Sequence, residues 1–288
     1  MHRSLSSLTL ACDASGVHVR DLPAALLASV VASCRTRVPA ARGILVGGSY
    51  ARGSASTASD LDLAVFIDDE DEDAALHYRT WLEVRADSPP LHVSARTDLT
   101  LATWAEEAEE PADWAFGLPT AQRFEWLSEP DEELRRALGA QPVLRTHAGE
   151  PEVEDMVTEL TKVHRAEASA DDIGVRFHAR RAVDFAAPTV VALNAPPPCV
   201  DTPRAALDTI CAGLTRTPDG WTEDLLVCLG LTPTDIRTTA AAADRLVVGV
   251  LELLRTIDPT VDRQDGVAEL VRSRDLDRLL DASRALRR

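Results

Sequence analysis

Hydrophobic and polar positions are most informative between Gly43 and Ile67, which read GILVGGSYARGSASTASDLDLAVFI. An apolar run from Ile44 to Val46 precedes a glycine pair, and a second apolar run extends from Leu61 to Ile67. This pattern predicts a strand, a glycine turn, a short helical start, a polar loop and a second strand. Because side chains alternate along a strand, the apolar residues of the second strand point one way and Asp60 and Asp62 the other. The sequence therefore predicts two carboxylates on one open face.

The remaining pattern of the first half mixes helices and strands. Four helices are predicted: Leu22 to Val38, a segment that follows the acidic run Asp68–Asp73 and ends at about Arg85, Thr100 to Glu110, and Glu132 to Leu138. Two strands are predicted, at Leu91 to Arg96 and at Gln122 to Leu127. A Gly- and Pro-containing stretch from Gly139 to Pro151 marks a boundary.

Beyond that boundary the pattern is helical to the end. One row of apolar residues at helical spacing is interrupted by Pro188 and Pro196–Pro198. The segment Asp235 to Ile257 is the most apolar and fits the central helix of a bundle. We therefore expect an α+β domain over residues 1–145, with a small mixed sheet and helices, followed by an all-α helical-bundle domain over residues 146–288.

The composition adds a strong negative charge. The chain of 288 residues has 47 acidic and 30 basic residues, a formal charge of −17, and Lys162 is its single lysine. A nucleic-acid partner is disfavoured because phosphate backbones require a basic surface. Cationic acceptors would be attracted instead, although the acidity equally fits genome composition or a salty cytoplasm.

Five scattered cysteines without CxxC spacing indicate a reducing compartment. No uncharged run approaches the ~20 residues of a membrane span. We expect a cytoplasmic protein without a membrane partner, and the sequence leaves its oligomeric state open.

Gly48-Ser49, followed after ten residues by Asp60-x-Asp62, resembles the signature of the nucleotidyltransferase superfamily, which includes DNA polymerase beta and the aminoglycoside nucleotidyltransferases. The longer string GGSYARG…SDLDL is similar to that of minimal nucleotidyltransferase domains. The resemblance implies Mg²⁺ on Asp60 and Asp62 and a nucleoside triphosphate at the turn. The predicted nucleotide-binding residues of this segment are Gly47, Gly48, Ser49, Arg52 and Ser59. Glycines allow close approach to a phosphate, and Mg²⁺ prefers one or two carboxylates with phosphate oxygens and water.

The strand from Leu91 to Arg96 departs from this family. Relatives usually carry a third acid there, which completes the metal site and accepts the proton of the attacking hydroxyl. Here the corresponding position holds His92 or Ser94. His92 is a candidate general base, and the alternative is an exposed histidine without a chemical role. A carboxylate of the second domain is another candidate, namely Glu154, Asp155 or Glu159.

A cluster of basic residues begins the second domain: Lys162, His164, Arg165, Arg176, His178, Arg180 and Arg181. Part of it, with Lys162 and Arg180 as candidates, could bind the nucleotide phosphates. The alternative is ion pairing with the neighbouring acids Glu159, Glu167, Asp171, Asp172 and Asp184.

The leading functional hypothesis is a Mg²⁺-dependent enzyme that transfers a nucleoside monophosphate, AMP from ATP, to a hydroxyl of a small molecule. An aminoglycoside-like acceptor fits because it is cationic and hydroxylated. Two alternatives stay open: a protein-modifying enzyme of the toxin and antitoxin type, and a nucleotide-binding protein without activity.

Overall fold

The computed structural model describes residues 16–56, 59–68, 80–85, 91–147, 152–194, 199–256 and 274–286. The chain forms two compact units. The first is Met1–Glu109 with Gln122–Arg145, and the second is Glu110–Ala121 with Thr146–Arg288. The segment Glu110–Ala121 thus groups with the second unit, whereas the sequence pattern assigned it to the first domain.

The first unit is an α+β structure around a mixed sheet, as predicted. The five strands run in the order β3–β4–β2–β1–β6. They are β1 (Gly43–Val46), β2 (Leu61–Phe66), β3 (Thr80–Arg85), β4 (Leu91–Leu99) and β6 (Glu125–Ser128). β2 and β4 are parallel, and the other neighbours are antiparallel. A separate two-stranded sheet pairs β5 (Thr120–Arg123) with β7 (Val143–Thr146). The helices are α1 (Ala24–Arg37), α2 (Gly48–Arg52), α3 (Leu101–Glu107) and α4 (Glu132–Leu138).

Each face of the five-stranded sheet carries its own apolar core. On one face Leu61, Leu63 and Val65 pack with α1. On the other face Ala64 and Phe66 pack with residues of α3 and α4. Strand alternation therefore places Asp62 on the second face, opposite to its leucine neighbours, as the sequence predicts.

Two predictions for this unit were wrong. The helix expected to reach Arg85 is replaced by strand β3 at Thr80–Arg85, which pairs with β4; residues 69–79, with most of the acidic run, lie outside the described part. The strand predicted at Gln122 to Leu127 is two strands separated at Phe124, and they pair with different partners, β5 with β7 and β6 with β1.

The second unit is helical, as predicted. Its helices are α5 (Val153–Ala168), α6 (Asp172–Ala192), α7 (Pro203–Asp208), α8 (Trp221–Cys228), α9 (Ile236–Arg255) and α10 (Arg274–Ala285). Pro188 does not interrupt α6 but is buried inside it. A π-turn, Thr209–Gly213, follows α7. Within the described residues, no helix is long and apolar enough to cross a membrane.

A polar junction joins α5, α9 and α10. His164 is fully buried, its Nδ1 lies 2.7 Å from Ser283 Oγ, and its Nε2 lies 3.4 Å from Asp244 Oδ1. Arg284 donates to both oxygens of Asp244, at 3.1 and 3.0 Å. Although serine, histidine and aspartate meet here, Ser283 is only 2% exposed. No substrate reaches such a hydroxyl, so we interpret the junction as structural.

We expect Asp244→Asn to destabilise the protein at pH 7 by on the order of 2 kcal/mol, and progressively less as the pH falls. Burial opposes the charge of Asp244, but its contacts with His164 and Arg284 outweigh burial and lower the pKa to about 2. A lowered pKa stabilises the fold above the unfolded-state pKa of about 3.9, and this contribution is lost as the pH falls towards 2. Urea unfolding at pH 7 and thermal unfolding at pH 2 to 4 measure both effects.

The control is Asp277→Asn, which removes an exposed ion pair with Arg255. It should change the free energy of unfolding by less than about 1 kcal/mol at pH 7. Equal effects of the two substitutions at pH 7 would contradict the assignment of the junction.

Candidate nucleotide and metal site

The glycine turn between β1 and α2 lies directly against the second aspartate. The Gly47 N–H donates to the carbonyl of Asp62 at 2.9 Å. Gly48 has a φ of +60°, and a Cβ added there would lie 1.9 Å from Asp62 Oδ2. Position 48 therefore requires glycine for two reasons, a left-handed backbone and the carboxylate beside it.

Ser49 and the amides around it lie at the start of α2. In a helix that begins at Gly48, the N–H groups of the first turn have no partner inside the helix. Such amides, in a turn without a Cβ at position 48, favour an anion such as a phosphate. The turn therefore places donor groups beside the carboxylate of Asp62.

The two aspartates repel each other. Asp60, exposed, immediately precedes β2, and Asp62 is half-buried within it. Burial raises the pKa of Asp62, the charge of Asp60 raises it further, and Arg52 opposes the rise. A cation bound by both carboxylates would offset this repulsion.

This donor set fits Mg²⁺. Hard carboxylate oxygens beside a phosphate-binding turn are what Mg²⁺ uses when it keeps several waters and binds substrate phosphates. Among the described residues, no group of three or more His, Cys, Asp or Glu side chains could hold a metal. Two protein carboxylates would therefore have to be completed by phosphate oxygens and water.

The strand register identifies the neighbours of Asp62 on β4. Asp62 pairs with Ser94, and Leu61 pairs with Val93, so His92 lies level with Asp60. His92 is exposed, and Ser94 is partly buried. Farther along β4, Asp98 accepts a hydrogen bond from Arg96 Nε at 2.6 Å. The positions that pair with Asp60 and Asp62 thus carry no acid.

Arg52 and Ser59 lie close to the aspartates. Arg52 ends α2 and is near enough to Asp62 to affect its pKa. Its Nε atom is buried and lacks a hydrogen-bond partner in the part of the chain that the structure describes. Ser59 accepts a hydrogen bond from the Ser56 N–H at 2.9 Å, immediately before Asp60. Arg52 therefore offers a cationic donor beside the turn, whereas Ser59 shapes the loop.

The predicted basic cluster of the second unit is largely paired. Lys162 Nζ lies 2.7 Å from Glu159 Oε1, and His178 Nδ1 lies 2.7 Å from Glu159 Oε2. Arg176 pairs with Asp172, and Arg181 pairs with Asp184. Ion pairing, one of the two interpretations of the sequence, accounts for these side chains, and Arg180 lines a cavity instead.

This cavity of about 430 Å³ lies within the second unit. Its lining includes Asp113, Phe116, Arg180, Arg181, Asp184 and Phe185. Burial raises the pKa of Asp184, and the two arginines oppose the rise. Arg181 Nη1 donates to Asp184 at 3.0 Å, and its guanidinium lies 4.9 Å from the centre of the Phe185 ring.

The backbone of Phe116 is left-handed, with a φ of 54°, which is uncommon for a bulky residue and frequent at binding sites. The sequence pattern did not predict this cavity, since Asp113 and Phe116 lie in a segment that the pattern assigned to the first domain. Aromatic residues in that segment were the one available signal.

Two family models match the chain. The model described as "Nucleotidyltransferase domain" matches residues 27–112, and the one described as "Nucleotidyltransferase, substrate binding domain" matches residues 152–256. No curated protein matches. Among solved structures, the chain is similar to a nucleotidyltransferase-like protein from Exiguobacterium sibiricum, at 15% identity over 91% of this chain and 88% of that one, with a TM-score of 0.35.

Proposed function

Since the chain contains a nucleotidyltransferase domain and a nucleotidyltransferase substrate-binding domain, we propose that it transfers AMP from ATP to a hydroxyl of a small molecule and releases pyrophosphate. The observation that carries this proposal is the contact between the Gly48 backbone and the Asp62 carboxylate. A phosphate held by the turn is thereby next to a group that binds a divalent cation.

The turn, α2 and the two aspartates have separate roles in this reaction. The amides that follow Gly47, the hydroxyl of Ser49 and the guanidinium of Arg52 bind the triphosphate. Asp60 and Asp62 hold Mg²⁺, which supplies charge neutralisation and orientation of the phosphates when bound. The acceptor oxygen bonds to the α-phosphorus as the bond to the β-phosphate oxygen breaks. Catalysis therefore depends on positioning and electrostatics.

His92 is the proposed proton acceptor. It is exposed on β4, level with Asp60. The alternative Glu159 is less suitable, since its two oxygens are already bound by Lys162 and His178. Although burial opposes its charge, these contacts prevail and lower the pKa of Glu159, which makes it a weaker base. Glu154 and Asp155 are exposed on the first turn of α5.

His92→Ala should lower kcat by about 100-fold, the usual contribution of a general base. His92→Asp should retain activity, since it restores a carboxylate next to Asp60. Ser94→Ala is the matched control on the same face of β4 and should leave kcat within a few-fold of the wild type. Steady-state kinetics of the three variants across pH test this role. An unchanged kcat in His92→Ala would show that another group accepts the proton.

We propose the cavity lined by Asp113 and Asp184 as the acceptor site. Its aromatic walls suit a hydroxylated ring, and the exposed carboxylate of Asp113 suits an amine, whereas Asp184 is paired with Arg181. The matched substrate-binding model supports a separate substrate site in this part of the chain, and the acidity of the chain supports a cationic, aminoglycoside-like acceptor. The nucleotide, the acceptor and the metal are tested together by one experiment.

The protein is incubated with α-³²P-labelled ATP, GTP, CTP or UTP, with and without Mg²⁺, and with aminoglycosides as acceptors. We expect label from ATP on the small molecule, and only with Mg²⁺. Label on a protein would instead indicate the protein-modifying alternative. Nucleotide binding without any transfer would indicate a binding protein. The absence of an acid at the positions of β4 that pair with Asp60 and Asp62 would then explain the lack of activity.

A further inference from the structure

A short segment before α1 lies against the chain that follows α2. We call this segment, Gly16–Asp21, the N-terminal strap. Val17 exchanges two backbone hydrogen bonds with Ala55, at 2.8 and 3.3 Å. A Cβ added to Gly16 would lie 2.4 Å from the Gly53 carbonyl oxygen and from Ser54 Cα, so the strap contacts that backbone directly. It therefore supports the chain that follows α2.

His18 is held through both ring nitrogens and through its backbone N–H. Its Nδ1 accepts a hydrogen bond from the Arg20 N–H at 3.1 Å. The hydrogen of the neutral ring therefore belongs on Nε2, which lies 3.1 Å from Glu125 Oε1. The His18 N–H donates to Asp21 Oδ2 at 2.9 Å. These contacts determine both the tautomer and the orientation of the ring.

The ring of His18 contacts the end of α2. Gly53, in the left-handed conformation with a φ of 71°, ends this helix, and a Cβ there would lie 3.2 Å from His18 Cδ2. The next residue, Ser54, donates its N–H to the carbonyl of Ser49 at 2.9 Å. His18 is thus linked, through Gly53 and the Ser54–Ser49 hydrogen bond, to Ser49, which is proposed to bind the triphosphate.

α2 depends on such support because it has only five residues. A single turn gains too little from its own hydrogen bonds to be stable alone. Tyr50 and Ala51 hold its inner side in the core. On the outer side, Glu125 and His18 connect its C-terminal end to strand β6, where Glu125 pairs with Val46 beside the glycine turn.

We infer that His18 is a positioning residue, which holds the end of α2 and thereby orients Ser49 and the turn amides for the triphosphate. The inference rests on the proposed function for its kinetic consequence. Its structural part, the support of α2 by the Glu125–His18–Gly53 contacts, is measurable without any substrate. Neither His18 nor Glu125 needs to touch the nucleotide.

The kinetic test compares three variants with the wild type. His18→Ala should lower kcat/KM for the nucleotide roughly 10- to 100-fold through a higher nucleotide KM, with the acceptor KM unchanged. His18→Gln should recover much of the loss, since its amide N–H is able to donate to Glu125. Arg20→Ala is the matched control, because it removes the other side-chain partner of Glu125 but keeps the backbone donor to His18. It should behave like the wild type.

Hydrogen exchange of the 288-residue chain separates this inference from the proposed function. The hydrogen-bonded amides of Ala51, Gly53 and Ser54 should exchange at least about 10-fold faster in His18→Ala than in the wild type and in Arg20→Ala. Unchanged exchange would overturn the inference, whatever the enzyme assays give. Faster exchange together with no nucleotide binding by the wild type would support the positioning of α2 and refute the proposed function instead.

Discussion

Asp62→Asn is expected to reduce nucleotidyl transfer by at least about 100-fold while the protein becomes at least as stable as the wild type. The asparagine keeps the shape but loses the charge that would bind Mg²⁺. Burial and the charge of Asp60 raise the pKa of Asp62. A carboxylate with a raised pKa in the folded state is destabilising when ionised, so its neutral replacement relieves this cost above that pKa.

Transfer assays and thermal unfolding at pH 7 and above measure the two effects. Asp98→Asn is the matched control, because Asp98 lies on the neighbouring strand β4 but pairs with Arg96. We expect it to keep most of the activity. Transfer near the wild-type rate in Asp62→Asn would remove the metal assignment, and a large loss of stability would show that the carboxylate has a structural role.

The centre of the first unit was predictable because its signals are local. Glycines at the turn and alternation from Leu61 onward determine β1, α2 and β2, and every residue needed for this lies within 25 positions. The face on which Asp62 lies followed from alternation alone. The structure adds that the Asp62 carboxylate lies against Gly48, a tertiary contact that no periodicity encodes.

The elements that were missed depend on distant partners. Residues Thr80–Arg85 were predicted as the end of a helix, but they form a strand that pairs with the edge of β4. Phe124 separates two strands that pair in different sheets. Pro188 is accommodated within α6, where it packs against Gly117. In each case tertiary contacts override the local pattern.

The functional residues were likewise predictable where the signal is local along the chain and were missed where it is not. Asp60, Asp62 and the glycine turn were found because their order along the chain is the signal. The cavity in the second unit was missed because Asp113 and Asp184 are separated by about 70 positions and neither belongs to a motif. The alternative roles of the basic cluster were distinguishable only when Glu159, Asp172 and Asp184 were seen to pair with it.

Gly48→Ala is expected to abolish nucleotide binding and to destabilise the protein by about 2 kcal/mol or more. The left-handed backbone costs an alanine about 1–2 kcal/mol, and the new Cβ would lie 1.9 Å from Asp62 Oδ2. The carboxylate or the turn must therefore move, and a displacement of about 1 Å is enough to reduce catalysis about 100-fold. Calorimetric titration with MgATP and urea unfolding measure the two effects.

Gly47→Ala is the matched control one residue earlier. Gly47 has a φ of −109°, which alanine adopts without strain. Its Cβ would meet only the far edge of the Phe124 ring, at 2.9 Å, and this side chain is able to shift. We expect nucleotide affinity within about 10-fold of the wild type in Gly47→Ala. If both alanine variants bind MgATP equally well, the contact between Gly48 and Asp62 has no role in nucleotide binding, and the site must be sought elsewhere on the chain.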